Sequence, residues 1–265
     1  MDLVKRSVVA AVLVAAGTLA VPGPAAASPV QNSFAEATLY SITHPGASPS
    51  GANDYACVPS AEQPEPVVLV HGFLENSYDN WASMAPVLKA EGYCVFALDY
   101  GAPEGIPFGG LGSLEDSAAE LGRFVETVRT STGAQKVAIV GHSKGGTVPR
   151  YYVRFHGGAE YVARIVALSP PNYPTPGPPS DEALQRLNEG SDTYPGVEYT
   201  TIVTRDDQVV PYEASLLTGE GNTNVVLQDL CPDNVTEHTG ISYDPVAQQV
   251  VSNALRGSDP TEVRC

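Results

Sequence analysis

The chain has 265 residues, with 14 basic side chains and 30 acidic ones, which gives a formal net charge of −16. Nucleic-acid binders depend on Lys and Arg to neutralise phosphates, so this balance excludes a nucleic-acid partner and disfavours attachment to an anionic membrane surface. Hydrophobic residues make up 43% of the chain and charged residues 17%, which is typical of one globular domain with a full core.

The N-terminal segment has the pattern of a secretory signal peptide. Two basic residues precede an apolar run from Val8 to Val21, and three alanines precede Ser28. Signal peptides combine these three features, whereas a membrane anchor needs a longer apolar run. We therefore expect residues 1–27 to be removed and residues 28–265 to be secreted, without stable insertion into a membrane.

After a polar, loop-rich stretch at residues 28–65, short apolar runs alternate with helix-like stretches. The six runs predict strands at Val67–Val70, Cys94–Leu98, Val137–Val140, Ile165–Leu168, Tyr199–Val203 and Asn224–Leu227. The helix-like stretches are Trp81–Ala90, Leu114–Val128, Lys144–Phe155, Asp181–Asn188 and Pro245–Leu255. This alternation predicts a single α/β domain with a mostly parallel sheet and helices on both faces. Ligands of such sheets bind at the carboxyl ends of the strands.

All four cysteines follow the signal segment. An even count in an oxidising compartment indicates two disulfides, for which three connectivities are possible. We favour Cys57 with Cys94 and Cys231 with Cys265, because each pair would tether a flanking segment to a nearby core element. A free catalytic thiol is the alternative. No two cysteines have the close spacing of a zinc site, so no metal is expected.

The pentapeptide Gly141-His142-Ser143-Lys144-Gly145 matches the pattern G-x-S-x-G. A predicted strand runs into it and a predicted helix runs out of it, which is the arrangement of a nucleophile elbow. In such a turn, a Cβ two residues before or after the serine would collide with the neighbouring strand or helix. We predict Ser143 as a nucleophile; a glycine-rich surface turn with an incidental serine is the alternative.

A nucleophilic serine needs a base, and this architecture places the acid and then the histidine after it in the chain. His238 follows the last predicted strand and is the natural base, unless it is an ordinary loop histidine. The strand ending at Val203 leads into adjacent aspartates, of which we prefer Asp207 to Asp206 as the acid. The remoter alternatives are Asp192, Asp229 and Asp233.

The negative oxygen of a tetrahedral intermediate needs two backbone N–H donors. The residue after the nucleophile, Lys144, is expected to supply one. Phe73, in the loop after the first predicted strand, is expected to supply the other. We interpret His71 in the same loop as a structural residue that bonds the loop, and Gly72 as a residue that lets the backbone approach a substrate.

Taken together, the motifs resemble those of secreted α/β-hydrolase lipases and esterases of actinobacteria, grouped with the small bacterial class 2 lipases. They span nearly the whole mature chain: Pro66–Phe73, Tyr78–Trp81, Gly92–Gly101, Val140–Gly146, Asp207–Val210, Val226–Cys231 and Glu237-His238. The resemblance implies carboxylic ester hydrolysis with Ser143, Asp207 and His238 as the triad and Phe73 and Lys144 as oxyanion donors. The sequence departs from the pattern at Asp206, where relatives often carry an aromatic residue.

The resemblance implies hydrolysis of acylglycerols or fatty acyl esters, and we expect a monomeric enzyme that needs no cofactor. Two Pro/Gly-rich stretches, residues 101–112 and 170–180, follow predicted strand ends and are expected to form a pocket rim without a long lid helix. A phospholipase, a polyester hydrolase or an acyltransferase on the same scaffold is the alternative. A non-catalytic binding protein would be expected to lack a triad member, and none is missing from the sequence.

Overall fold

The computed structural model describes residues 27–174 and 182–265. Residues 1–26 of the predicted signal peptide, most of the second rim stretch and the first residue of the predicted helix at 181–188 lie outside this part. The helices are α1 (Phe34–Thr43), α2 (Ser77–Trp81), α3 (Met84–Ala90), α4 (Leu114–Thr132), α5 (Lys144–Phe155), α6 (Glu182–Leu187), α7 (Leu227–Leu230) and α8 (Pro245–Leu255). The strands are β1 (Val67–Val70), β2 (Val95–Leu98), β3 (Val137–His142), β4 (Val162–Leu168), β5 (Glu198–Val203) and β6 (Asn222–Val226).

The strands form one parallel sheet in the order β2-β1-β3-β4-β5-β6. Successive side chains of a strand point to opposite faces, and both faces of this sheet carry a buried core. Val68 and Val70 of β1 pack on the α4 and α5 side, whereas Val67 and Leu69 pack on the α3 and α8 side. Burial on both sides explains why the strands read as unbroken apolar runs. The predicted α/β fold is confirmed.

The register of the sheet brings the carboxyl ends of its central strands level with one another. Val70 at the end of β1 lies opposite Gly141 of β3, and Leu168 of β4 lies between His142 of β3 and Ile202 of β5. The loops that follow these strands therefore emerge at the same edge.

The local sequence of helix α4 determines which of its faces is buried and where the helix begins and ends. Its buried positions recur every three or four residues, so one face meets the sheet. The Ser113 hydroxyl accepts a hydrogen bond from the N–H of Asp116 at its start, and Gly133, with φ 73°, ends it.

The stretch at residues 28–65, which the sequence indicates is polar and loop-rich, contains helix α1. Its start is capped by Ser33, and Ala37 packs against Tyr78 and Ala82 of the α2 region. Only Ala37 and Ser41 of this helix are buried, so its apolar stripe was too narrow to show a helical period in the sequence. Its stability comes from tertiary packing.

Several other boundaries differ from the predictions; for example, β4 begins at Val162, before the predicted start at Ile165. The single helix predicted at Trp81–Ala90 is instead two helices, α2 and α3, because the asparagine cap at residue 76 starts a separate turn before Trp81. The last strand begins two residues earlier than predicted, and Leu227 begins helix α7.

Both predicted disulfides are present, Cys57–Cys94 and Cys231–Cys265. The first ties the segment before β1 to the start of β2, and the second ties the C-terminal residue to the end of α7. Within residues 27–174 and 182–265, no helix combines the length and the apolar character needed to cross a membrane.

Candidate active site

Ser143 occupies the sharp turn between β3 and α5. Its backbone has φ 50° and ψ −128°, a region that non-glycine residues rarely adopt and that costs about 1–3 kcal/mol. The N–H of Ser143 donates to the carbonyl oxygen of Leu168 at 2.8 Å, which anchors the turn to β4. The residue is 8% exposed, so its side chain lies at the sheet edge with little contact with solvent.

The glycines on either side of Ser143 are required by close backbone contacts. A Cβ on Gly141 would lie 2.1 Å from the carbonyl oxygen of Gly145, and one on Gly145 would lie 2.2 Å from the carbonyl oxygen of Val70. Strand and helix backbone cannot move away without breaking the elbow. The collisions predicted from the sequence are confirmed.

His238 lies in the loop between α7 and α8, and its Nδ1 is 2.7 Å from Oδ2 of Asp207. The two side chains are 6% and 1% exposed. Oδ1 of Asp207 also accepts hydrogen bonds from the N–H groups of Val209 and Val210. Burial would raise the pKa of Asp207, but the His238 contact and these two donors outweigh it and lower the pKa. Asp207 is therefore a fixed, ionised acceptor for the imidazole.

The neighbouring Asp206 has a different environment. Its Oδ2 accepts a long hydrogen bond from the Gln228 side chain, at 3.4 Å, and within the described ranges it forms no hydrogen bond or ion pair with His238. Of the remoter candidates, Asp192 accepts hydrogen bonds from Thr218 and Gly219, and Asp229 pairs with Arg205. The structure thus brings His238 together with Asp207 and with none of the other aspartates considered.

The His238 loop is joined to the elbow through the residue before Ser143. Nε2 of His142 is 2.8 Å from the carbonyl oxygen of His238, and the two rings lie 4.9 Å apart. In the described part of the chain, the Ser143 hydroxyl forms no hydrogen bond with the His238 ring. Such bonds often form only when substrate closes the site.

The loop after β1 presents a backbone N–H at this edge. The N–H of Gly72 donates to Oε2 of Glu75 and that of Leu74 donates to the carbonyl oxygen of Gly109. Between them, the N–H of Phe73 has no acceptor among residues 27–174 and 182–265. This N–H is the available donor of the loop, as an oxyanion site requires.

Lys144 is the first residue of α5, where backbone N–H groups point out of the helix end. Nζ of its side chain donates to the carbonyl oxygens of Gly110 and Gly112. The lysine side chain therefore holds the rim loop that follows β2.

His71 is fully buried and structural, as predicted. Its Nδ1 is 2.9 Å from the carbonyl oxygen of Gly72, its ring stacks on Tyr100, and the Tyr100 hydroxyl donates to the His71 carbonyl oxygen. Burial lowers the pKa of His71, so the ring is neutral at neutral pH.

The sequence analysis missed one buried pair at this site, Glu75 and His142. Oε2 of Glu75 is 3.0 Å from Nδ1 of His142, and the side chains are 5% and 0% exposed. A glutamate in a loop normally faces solvent, and the two residues lie 67 positions apart, so no local pattern could have joined them.

No group of three or more His, Cys, Asp or Glu side chains in the described ranges is arranged to hold a metal ion.

A serine on a strained strand-to-helix turn of a parallel sheet, with an imidazole–carboxylate pair at the same edge, defines an α/β hydrolase. A family model described as alpha/beta hydrolase fold matches residues 65–199, more than half of the chain. The chain therefore belongs to the α/β-hydrolase family.

Several solved lipases have a similar fold. Aspergillus fumigatus lipase B superposes with a TM-score of 0.68 at 18% identity, over 82% of this chain and 58% of that one. The mature Bacillus licheniformis lipase BlEst2 superposes with a TM-score of 0.58 at 18% identity, over 74% of this chain and 94% of that one. The Paleococcus ferrophilus monoacylglycerol lipase superposes with a TM-score of 0.59 at 18% identity, over 76% of this chain and 96% of that one. This chain spans little more than half of the Aspergillus protein, and at these identities the likeness establishes the fold.

Proposed function

We propose that this protein is a secreted serine carboxylic-ester hydrolase, a lipase or esterase of the small bacterial class 2 type. The observation that carries the proposal is the 2.7 Å contact between His238 and Asp207 at the sheet edge where Ser143 occupies its strained turn. An imidazole held by a carboxylate at the same sheet edge as an elbow serine is the arrangement that acyl transfer requires.

In the proposed mechanism, Oγ of Ser143 attacks the ester carbonyl while Nε2 of His238 takes its proton. The carbonyl oxygen becomes negative and accepts hydrogen bonds from the N–H groups of Phe73 and Lys144. The intermediate collapses, the C–O bond to the alcohol breaks, and the alcohol leaves with the proton from His238. Water then attacks the acyl-enzyme by the same steps and releases the carboxylic acid. Asp207 stabilises the imidazolium throughout.

Apolar side chains at the site support an acyl substrate. Phe73 is 54% exposed and Leu74 is 52% exposed, and both belong to the loop that carries the proposed oxyanion donor. Leu111 in the rim loop is also exposed. Exposed apolar residues grouped at the mouth of a site are typical of surfaces that contact lipid or another apolar ligand. The substrate class we propose is acylglycerols and fatty acyl esters, with short and medium chains used at least as well as long ones.

The residues that precede the domain support secretion. The N-terminal basic and apolar pattern is that of a signal peptide, and the two disulfides suit an oxidising compartment. We propose cleavage after residue 27.

The proposal is tested with p-nitrophenyl esters and triglycerides of increasing acyl length, measured with and without chelator. We expect turnover of at least the short and medium esters, and labelling of the protein by a serine-directed fluorophosphonate. Ser143→Ala should abolish both, with kcat lowered by about 10⁶-fold or to background. A folded wild-type protein that neither turns over any ester nor becomes labelled would overturn the proposal. Preferential turnover of phosphatidylcholine or a polyester film would instead assign it to another hydrolase class.

A further inference from the structure

Glu75 and His142 form a buried pair beside the proposed base, with the rings of His142 and His238 4.9 Å apart. His142 ends β3 and has no exposed surface, and Glu75 lies in the loop after β1 and is 4% exposed. Ionisable groups are almost never buried to this degree unless they are paired. Burying both groups costs free energy of desolvation, so the contacts that the pair makes must offset this cost.

The contacts of His142 indicate that both of its ring nitrogens carry protons. Nδ1 is 3.0 Å from Oε2 of Glu75, and Nε2 is 2.8 Å from the carbonyl oxygen of His238. A carbonyl oxygen can only accept, so Nε2 donates, and Nδ1 donates as well when Glu75 is ionised. His142 is then an imidazolium that is neutralised by Glu75.

The electrostatics of the pair agree with this protonation state. Burial would lower the pKa of His142, but the Glu75 charge and hydrogen bond outweigh it and the pKa is raised. Burial would likewise raise the pKa of Glu75, but His142 and the N–H of Gly72 outweigh it and the pKa is lowered.

Asn80 also lies beside His142, with Nδ2 3.0 Å from Nδ1. Its buried Oδ1 has no partner in the described part of the chain. Nδ2 also donates to Oγ of Ser242 at 3.4 Å. A half-turn of the amide would exchange this long hydrogen bond for one in which Oδ1 accepts from Nδ1–H, which suits an imidazolium. The competing arrangement is a neutral ring, with Nδ1 accepting from Asn80 and a protonated Glu75.

The pair joins two loops of the proposed active site. Oε2 of Glu75 accepts the N–H of Gly72 at 2.7 Å, next to the proposed oxyanion donor Phe73. The carbonyl oxygen of Glu75 accepts the N–H of Gly109, which lies in the rim loop. On the other side, His142 holds the backbone of His238. One ion pair thus fixes the oxyanion loop and the base loop relative to each other.

We propose that Glu75 and His142 are positioning residues, whose buried ion pair sets the location of the His238 imidazole relative to the oxyanion donor. The inference rests on the proposed function, since it assigns the pair to the same acyl-transfer site. It predicts that breaking the pair lowers kcat and leaves KM nearly unchanged, because the substrate still binds but the base is displaced. Displacements of about 1 Å at a reacting centre cost about 100-fold in rate.

The test compares Glu75→Gln and His142→Gln with Asp99→Asn. Asp99 lies at the same sheet edge, its carboxylate accepts from Ser77, and its Oδ1 is 3.9 Å from Nε2 of His71. Its replacement removes the same negative charge as Glu75→Gln without touching the pair. We expect kcat on a short p-nitrophenyl ester to fall about 10- to 100-fold in each Gln variant, with KM within about two-fold. Fluorophosphonate labelling should slow by the same factor, and Asp99→Asn should match the wild type.

The double variant should lose about as much as either single variant, because both substitutions break one unit. The proposal is overturned if Glu75→Gln keeps kcat within about two-fold of wild type, or if Asp99→Asn loses as much as Glu75→Gln.

A measurement on the wild-type protein covers the case in which a variant does not fold. Long-range ¹H–¹⁵N NMR of the His142 ring should show two protonated nitrogens at pH 8. A single protonated nitrogen would establish the neutral arrangement and refute the proposal. This outcome is distinct from a failure of the proposed function, in which wild-type protein neither hydrolyses esters nor labels, whatever the state of His142.

Discussion

Replacing Asp207 by asparagine should lower kcat by about 10⁴-fold, because the amide would hold His238 in the wrong tautomer. The geometry of the carboxylate decides this outcome. Oδ1 accepts from the N–H groups of Val209 and Val210 at 2.9 Å and 2.8 Å, while Oδ2 faces Nδ1 of His238 at 2.7 Å. An amide nitrogen at the Oδ1 position would face two donors, so the amide oxygen must stay there.

The amide nitrogen of the variant therefore takes the Oδ2 position and donates to Nδ1 of His238. Nδ1 becomes an acceptor, and the ring proton moves to Nε2, the atom that has to receive the proton of Ser143. A loss of about 10⁴-fold corresponds to about 5.4 kcal/mol of transition-state stabilisation.

The assay is steady-state hydrolysis of a short p-nitrophenyl ester, with Asp206→Asn as the matched control. Both variants lose one negative charge at adjacent positions, but in the described part of the chain only Asp207 is hydrogen-bonded to the His238 ring. We expect Asp206→Asn to stay within about two-fold of wild type. A loss smaller than about ten-fold in Asp207→Asn, or an equal loss in the control, would refute the assignment of the acid.

Two further predictions concern stability. The double substitution Cys57→Ser/Cys94→Ser should lower the free energy of unfolding by about 4 kcal/mol, because the disulfide closes a loop with a sequence separation of 37 residues. For a domain of this size, calorimetry should then show a fall in Tm of about 8–16 °C, and a fall below about 3 °C would contradict the reasoning. Asp79→Asn should stabilise the protein at pH 9 more than at pH 5. Burial raises the pKa of Asp79 to about 8 in the folded protein, whereas in the unfolded chain this carboxyl ionises near pH 4. The wild-type protein therefore loses stability as pH rises from about 4 to 8. If the substitution changed the free energy of urea unfolding equally at pH 5 and pH 9, the assigned role of Asp79 would be wrong.

Much of the fold could be predicted from local sequence patterns. Strands covered on both faces must be apolar along their whole length, and each of the six runs became a strand of the parallel sheet. Helix α1 could not be predicted in this way, because its narrow buried face is stabilised by contact with Tyr78 and Ala82, about 40 residues later.

The choice between Asp206 and Asp207 lay beyond the local sequence as well. Both follow the same strand, and either could have faced the imidazole. The turn after β5 decides between them. The N–H groups of Val209 and Val210 donate to Oδ1 of Asp207, and this orients Oδ2 toward His238.

The sequence by itself determined the alternating architecture, the glycine elbow around Ser143 and the residues from which a triad could be built. These features depend on hydrophobic periodicity and on steric contacts between residues that are close together in the chain. Only the tertiary structure decided which aspartate meets His238 and revealed the buried pair of Glu75 with His142. Both depend on contacts between residues 31 and 67 positions apart, and such contacts form only when parallel strands bring their carboxyl ends to one edge.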